Sequence, residues 1–453
     1  MTFITGEQLN LLVPPEIPRY QIDKLMDYLC RPVTWDTKVC TLYGFRRAGK
    51  TTLIVQAIRL LIRQGISTSK IGYFTGMRGD DIDDVVFELE AHKEIEYVFV
   101  DEVSFFSNFL SSGSYFYDTQ IRLYGHRVVI SGTNLLALYV AQQQTLFDRC
   151  EIIRVPYLSF FEHCKFVLNT DKPNYEQFIE YLKYGGLFDL MSEGAIDSYV
   201  QSSITDPIIE LFDSQSESKL FSWLKPESDS VNWHGIVNTI LFLSSNYVSN
   251  KHFQEPVSLV EDARVLEHNV TRQIAREFKQ YFSLSAMSRV YRMKRTETVA
   301  LLDFLTHCGA IIVLNNMFDD AEPYKCYVQA PFIRYSFTDK LNVMSGGGAV
   351  DTHTPLFGNL VEATVISEYQ QSHDSCIRFA RTHAPIGSTN LAEIDLVDLD
   401  SREAYEVKLT SGQGYRGFSL LSEQVDFEGF NFTILEGDKC MNYVYEWGSM
   451  MYR

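Results

Sequence analysis

Residues 44–51 run Gly-Phe-Arg-Arg-Ala-Gly-Lys-Thr, the spacing G-x-x-x-x-G-K-[ST]. Gly44 and Gly49 let the backbone curl until successive N–H groups face one phosphate. Lys50 has the reach to meet the outer phosphates of a nucleotide, and the Thr51 hydroxyl suits the shell of a Mg²⁺ ion. Arg46, Arg47, Ala48 and Thr52 complete the expected nucleotide-binding set. The two arginines either touch the nucleotide or tie the loop to acidic neighbours. The expected cofactors are ATP and Mg²⁺.

A second constellation lies downstream. Residues 97–100 are apolar and run into Asp101-Glu102. An Asp at a strand end beside the phosphate loop suits the Mg²⁺ shell, and the next carboxylate suits orienting and polarising the attacking water. The bland reading is a strand entering an acidic turn. Residues 128–131 lead into Gly132-Thr133-Asn134, where Asn134 either approaches the γ-phosphate or caps the next helix. Arg149 either reaches a nucleotide held by a neighbouring subunit, which makes the chain a homo-oligomer, or complements a helix end. The expected catalytic residues of this half are Glu102, Asn134 and Arg149.

A third group lies near the C-terminus: Glu362 in a helical stretch, Asp395 in a strand, and Glu406 and Lys408 in the next strand, with a turn at Asp400-Ser401. A strand period of two puts Glu406 and Lys408 on one face, and Asp395 can share it. Glu362, Asp395, Glu406 and the Val407 carbonyl offer the hard oxygens that Mg²⁺ takes. A metal-activated water there suits phosphodiester cleavage, with Lys408 steadying the developing charge. Glu393 alternates onto the Asp395 face as a further ligand. The alternative is an acidic hairpin holding a cross-strand ion pair.

The elements that must position these groups follow from the pattern. The chain has 453 residues, 45% of them apolar, enough for two or three domains with real cores. Strands are expected at residues 38–44, 70–74, 97–101, 127–131 and 151–155, with helices between them, including one at 52–62. That alternation marks a parallel sheet covered on both faces. No run of about 18 apolar residues exists, which argues against a membrane span. Residues 1–13 lack the build of a signal peptide. Eight cysteines without C-x-x-C pairs, including His163-Cys164 and His307-Cys308, read as buried residues in a reducing cytoplasm. A net charge of −18 disfavours nucleic-acid binding by bulk charge, though not through a local basic surface. Low-order segments are expected at 213–219 and 225–230, and Ser345-Gly346-Gly347-Gly348 reads as a linker.

The motifs together resemble one family, the prokaryotic AAA+/STAND-related ATPases with a G-x-R-R-x-G-K-T-T loop. The resemblance rests on residues 44–52, Phe99-Val100-Asp101-Glu102, Ser131-Gly132-Thr133-Asn134 and Pro156-Tyr157-Leu158-Ser159-Phe160, where a Tyr is inserted into the family's PLSF-like segment. It implies an α/β chain with a P-loop ASCE/AAA+ ATPase core at 1–160. A helical lid would follow at 161–268 and a winged helix at 269–344. A PD-(D/E)XK, restriction-endonuclease-like α/β domain would occupy 352–453.

The winged helix would use apolar stripes at Leu284, Met287 and Val290 and at Val299, Leu302 and Leu305. Its wing would be a hairpin of residues 311–314 and 327–330. Arg289, Arg292, Lys294 and Arg295 make a positive run that either enters a DNA groove or is a solvated face. The function implied is an ATP-hydrolysing switch coupled to a Mg²⁺-dependent deoxyribonuclease in genome defence. The alternatives are a non-nucleolytic ATPase switch or sensor that binds DNA or a protein partner, and a scaffold that binds ATP without turnover.

Overall fold

The computed structural model describes residues 1–14, 18–134, 138–139, 141–142, 146–188, 193–206, 237, 240–241, 295–318, 325–337, 354–373, 375–381, 393–408, 419, 421–422 and 425–452. The chain divides into two compact units, Met1–Tyr157 with Tyr199–Lys225, and Leu158–Ser198 with Pro226–Arg453.

In the first unit, six strands among the described residues form one sheet: β1 (Thr2–Thr5), β2 (Val39–Tyr43), β3 (Ile71–Thr75), β4 (Tyr97–Asp101), β5 (Arg127–Ser131) and β6 (Cys150–Arg154). Their order is β1-β3-β4-β5-β2-β6. All neighbours pair in parallel except β1, which runs antiparallel to β3 at the edge. Helices α1 (Gln21–Cys30), α2 (Lys50–Arg63), α3 (Ile82–Ala91) and α4 (Phe109–Tyr117) lie between the strands in sequence. Every residue of β2 and β4 is buried, as befits strands covered on both faces.

Five apolar residues of α2 (Leu53, Ile54, Ala57, Ile58 and Leu61) recur at helical spacing. They join Cys40, Leu42, Phe99 and Val129 in one core. An Asp81–Asp84 capping box starts α3. The five expected strands appear within one residue of their expected bounds. The edge strand β1 was not foreseen; Phe3 stacks on Phe74 with ring centroids 4.5 Å apart.

The second unit opens with α5 (Phe160–Phe166) and α6 (Tyr175–Tyr184). It continues through α7 (Arg295–His307), β7 (Ile311–Leu314), β8 (Lys325–Val328), α8 (Pro331–Phe337) and α9 (Pro355–Ser372). It closes with β9 (Ile377–Arg381), β10 (Glu393–Asp398), β11 (Glu403–Lys408), β12 (Asn431–Glu436) and α10 (Asp438–Met450). Its larger sheet has the order β12-β11-β10-β9, with β11 and β12 parallel and the other pairs antiparallel. Phe160, Phe178 and Tyr181 from the start of this unit share a core with Tyr369 of α9, Leu396 of β10 and Trp447 of α10. The unit thus takes in segments that the sequence assigned to the ATPase core's end, the lid, the winged helix and the nuclease-like domain.

The hairpin expected as a wing exists, with Ile311 opposite Val328, but its second strand starts two residues early, at Lys325. It is not a projecting wing. All four residues of β8 are buried, and Asn316 bridges to Phe379 of β9. The Met317 N–H donates to the Phe379 carbonyl (2.7 Å), and the Asn316 amide donates to the Arg381 carbonyl (3.1 Å). Leu284, Met287, Val290, Arg289, Arg292 and Lys294 lie outside the described residues, as do the glycine linker and the two low-order candidates. Among the described residues no helix is long and apolar enough to cross a membrane. All eight cysteines are free.

Candidate nucleotide site and carboxylate cluster

The loops that follow β2, β4 and β5 leave the sheet at one edge, because these strands are adjacent and parallel. A phosphate loop needs close backbone approach, and Gly44 shows why. A Cβ there would sit 2.1 Å from the Val155 carbonyl oxygen. Gly49, at φ 93°, turns the chain left-handed into the start of α2. The N-terminal end of α2 then presents its free N–H groups and positive dipole end to an anion.

Lys50 is buried and donates to the Gly44 carbonyl (2.7 Å) and the Phe45 carbonyl (2.8 Å). Burial pushes its pKa down to about 8, against the pull of Glu102 and Asp101. An ammonium held so by the loop's own carbonyls is placed to turn to an entering phosphate. Arg46 and Arg47 are exposed on the loop, Arg47 at φ 62°. The Arg46 carbonyl accepts from the Tyr199 hydroxyl at 2.6 Å.

Asp101 is the hub of the second strand end. Its Oδ2 accepts from the Thr51 hydroxyl at 2.7 Å and from the Tyr73 hydroxyl at 3.3 Å. Its Oδ1 accepts from the Ser131 hydroxyl and from the Glu102 N–H (3.1 Å). The Thr51 hydroxyl and the Asp101 carboxylate are the hard oxygens that a nucleotide-bound Mg²⁺ takes, so this pair fits that ion. Glu102 adopts the left-handed region, φ 56°. Its Oε2 accepts from the Thr133 N–H (3.1 Å) and hydroxyl (2.8 Å). Burial raises the Glu102 carboxyl above its ordinary range, and the Thr133 hydrogen bonds oppose this.

Asn134 follows directly, its N–H donating to Ser104 Oγ at 3.3 Å and its carbonyl accepting from the Leu138 N–H. The backbone bond suits the capping alternative.

Arg149 lies at the opposite end of the sheet from this loop. Its carbonyl accepts from the N–H of Val39, the first residue of β2. Its guanidinium stands 3.5 Å from Asp118 and 5.4 Å from the centre of the Tyr117 ring. It cannot serve the nucleotide of its own chain.

Sequence reasoning missed Arg19. This fully buried guanidinium donates to the Ala48 carbonyl at 2.6 Å and, from both terminal nitrogens, to the Pro156 carbonyl at 3.2 Å. It ties the phosphate loop to the chain leaving β6. Ser131 and Thr133 were missed as supports for the two carboxylates. Their polar side chains at a strand end in the Ser-Gly-Thr-Asn segment were the available signal.

The carboxylate cluster of the second unit assembles as the spacing predicts, with one addition. Asp395 on β10 stands opposite Glu406 on β11, given that Leu396 pairs with Tyr405. Glu362 comes from α9, and the Lys408 ammonium is 2.5 Å from Glu406. Val407 meets Asp395 through its N–H, at 2.9 Å from Oδ2.

The addition is Lys325. Its ammonium, on a side chain 1% exposed, lies 2.5 Å from Glu393, 3.2 Å from Glu362 and 3.2 Å from Asp395. Tyr327, two residues on, donates to the same Glu362 oxygen at 2.5 Å. Burial alone would strip the Lys325 proton, but Glu362 and Glu393 outweigh it and hold the ammonium charged. Burial and the Asp395 charge push the Glu362 carboxyl up. Burial works on Asp395 as well, yet Lys325 and Lys408 hold it below its ordinary range.

The sequence reading put Mg²⁺ among Glu362, Asp395 and Glu406, with Glu393 in reserve. In the folded chain three of these four carboxylates face the Lys325 ammonium and the fourth, Glu406, faces that of Lys408, and as arranged they do not fit a divalent ion. Among the described residues no group of three or more His, Cys, Asp or Glu side chains is arranged to hold a metal.

Residues 36–164 match the family model described as an AAA domain. No curated protein matches the sequence. Among solved structures, the chain is similar to AMPPCP-bound DnaA from Aquifex aeolicus, at 13% identity and a TM-score of 0.28, covering 63% of this chain and 85% of that one. It is also similar to the S. cerevisiae Hsp104–ADP complex, at 13% identity and a TM-score of 0.32, covering 82% of this chain and 58% of that one. The first unit carries an AAA-type P-loop ATPase domain.

Proposed function

We propose that the chain is an ATP-driven switch: a Mg²⁺-dependent ATPase whose nucleotide state sets the behaviour of a second unit with a nuclease-like fold. The observation that supports the ATPase most directly is the meeting of Lys50, Thr51, Asp101 and Glu102 at one sheet edge. Loop N–H groups and Lys50 bind the phosphates. Thr51 and Asp101 hold Mg²⁺, which when bound neutralises phosphate charge. Glu102, steadied by Thr133, orients the attacking water and takes up its proton. Arg19 and Gly44 keep the loop's carbonyls and N–H groups in place.

The order of α9, β9, β10 and β11, with β12 returning parallel to β11, supports a PD-(D/E)XK-like reading of the second unit. So do the places of Glu362, Asp395, Glu406 and Lys408 within it. Two uses of that fold compete: metal-dependent DNA cleavage, and a non-nucleolytic switch that binds DNA or a protein partner. The ammonium of Lys325 among the carboxylates favours the switch. The α7 helix is the part of the winged-helix expectation with support, since the β7–β8 hairpin packs along β9, and DNA is the partner that expectation would imply. Arg149, turned away from its own chain's loop, fits a homo-oligomer in which it meets a neighbour's nucleotide. Eight free cysteines fit a cytoplasmic setting.

The test is phosphate release from ATP with Mg²⁺, run beside cleavage of linear, circular and single-stranded DNA. ATP turnover that Lys50→Ala abolishes, with no strand cut, supports the switch. Absence of turnover with tight ATP binding would leave only a scaffold, and cleavage lost in Lys408→Ala would restore the nuclease.

A further inference from the structure

We propose that Lys325 is the resident cation of the Glu362–Glu393–Asp395 cluster and excludes a divalent ion from it. The inference rests on the nuclease-like reading of the second unit, where a metal would otherwise be expected. Three carboxylates lie within 3.2 Å of one buried ammonium, so the oxygens a metal would take are turned to Lys325. Two of them hold a further donor: Glu362 accepts from Tyr327, and Asp395 from the Val407 N–H.

The arrangement is fixed by the backbone around it. Lys325 pairs with Leu314 across the hairpin, and the hairpin is joined to β9 through Asn316 and Met317. Just past β8, the buried Arg334 guanidinium grips the Val328 carbonyl at 2.8 and 2.6 Å and the Gln329 carbonyl at 2.9 Å. It also donates to the Leu360 carbonyl of α9 at 3.2 Å, so β8 and the helix carrying Glu362 are held by one side chain. Swinging Lys325 out would break this stitching. The ammonium is therefore a built replacement for the metal, not a gate over it.

The experiment is a Mn²⁺ titration of the full chain, followed by the electron paramagnetic resonance of free Mn²⁺. Nucleotide is left out, so that the Thr51–Asp101 pair is not filled as a Mn²⁺–ATP site. Native protein, Asp395→Asn, Lys325→Met and the double variant are compared. The expected result is equal Mn²⁺ binding by the native chain and Asp395→Asn. Lys325→Met should gain one Mn²⁺ per chain, and the double variant should lose that gain.

Two results overturn the proposal: a native Mn²⁺ site that Asp395→Asn removes, or a folded Lys325→Met chain with no added site. Should Lys325→Met fail to fold by circular dichroism, the native comparison decides, with Glu362→Gln as a second cluster variant. Cluster-dependent binding refutes the proposal, and its absence upholds it. None of these readouts uses ATP turnover, so a failure here leaves the ATPase reading standing, and the reverse.

Discussion

Replacing Arg19 by methionine should lower stability and nucleotide affinity together. The guanidinium is fully buried and satisfies two carbonyls, Ala48 in the phosphate loop and Pro156 after β6. Methionine fills much of the same space and donates to neither. A buried acceptor left without a donor costs about 1–3 kcal/mol, so the two together cost roughly 2–6 kcal/mol. For a unit of this size each kcal/mol moves the melting temperature by about 2–4 °C, giving a fall of roughly 8–16 °C at the middle of that range. The freed Ala48 carbonyl also unsettles the loop whose N–H groups bind phosphate, so the ATP KM should rise.

Scanning calorimetry of the full chain reads the first effect. The first unit's transition is the one that ATP with Mg²⁺ shifts upward, because a ligand stabilises the state it binds. Arg19→Lys should fall between, since an ammonium cannot span two carbonyls as a planar fork does. A melting temperature within about 2 °C of native, with an unchanged KM, would refute the argument, since the cost worked out above would then be absent.

Glu102→Gln should keep ATP binding while phosphate release falls about 10²–10⁴-fold, the usual worth of a positioned base. Because burial raises the Glu102 carboxyl, and the working form is the carboxylate, native turnover should fall on acidification sooner than an ordinary carboxylate would allow. Stopped-flow or malachite-green assays across pH read this. Lys50 titrates near 8 in the free chain, so above that pH a proton must be taken up as phosphate binds. ATP affinity should then weaken by up to about tenfold per pH unit between roughly pH 8 and 10, measured by equilibrium titration.

In the second unit, burial pushes the Glu368 carboxyl up to about 8. Its folded pKa exceeds its unfolded one, so its contribution to stability is full below about pH 4.3 and is lost as pH rises toward 8. Glu368→Gln should flatten that part of the stability–pH curve. An unchanged slope in denaturant melts from pH 5 to 8 would count against it.

What the sequence disclosed, and what it hid, divides along a physical line. The β2, β4 and β5 strands and α2 were legible because periodicity is local, and Lys50, Thr51, Asp101 and Glu102 because their spacing is. The pairing of Asp395 with Glu406 followed from a period of two across a short turn. Arg19 was not legible, because its partners lie 29 and 137 residues away and nothing in a lone arginine announces burial. Lys325 was hidden for a related reason. A lysine in a hairpin strand next to Pro323-Tyr324 looks solvated, and only the docking of β7–β8 along β9 turns it inward. The wing expectation failed at the same point, since a hairpin's pattern does not say which neighbour covers it. β1 has just four residues, with no buried position among them, so it carried little signal.

The joining of α5 to the end of the chain bears on how the molecule is made. The Phe160 N–H finds Glu368 208 residues later, and Glu162 finds the Tyr452 hydroxyl 290 residues later. A ribosome adding about 5–20 residues per second leaves α5 without its last partner for roughly 15–60 seconds. The first unit's sheet needs nothing past β6, so it can close while α5 and α6 hang below the exit tunnel with Phe160, Phe178 and Leu182 uncovered. Growing chains of this protein should therefore engage trigger-factor-like holdases through residues 158–186. Stalling translation before α10 should leave a folded nucleotide-binding head on a sticky, protease-sensitive tail.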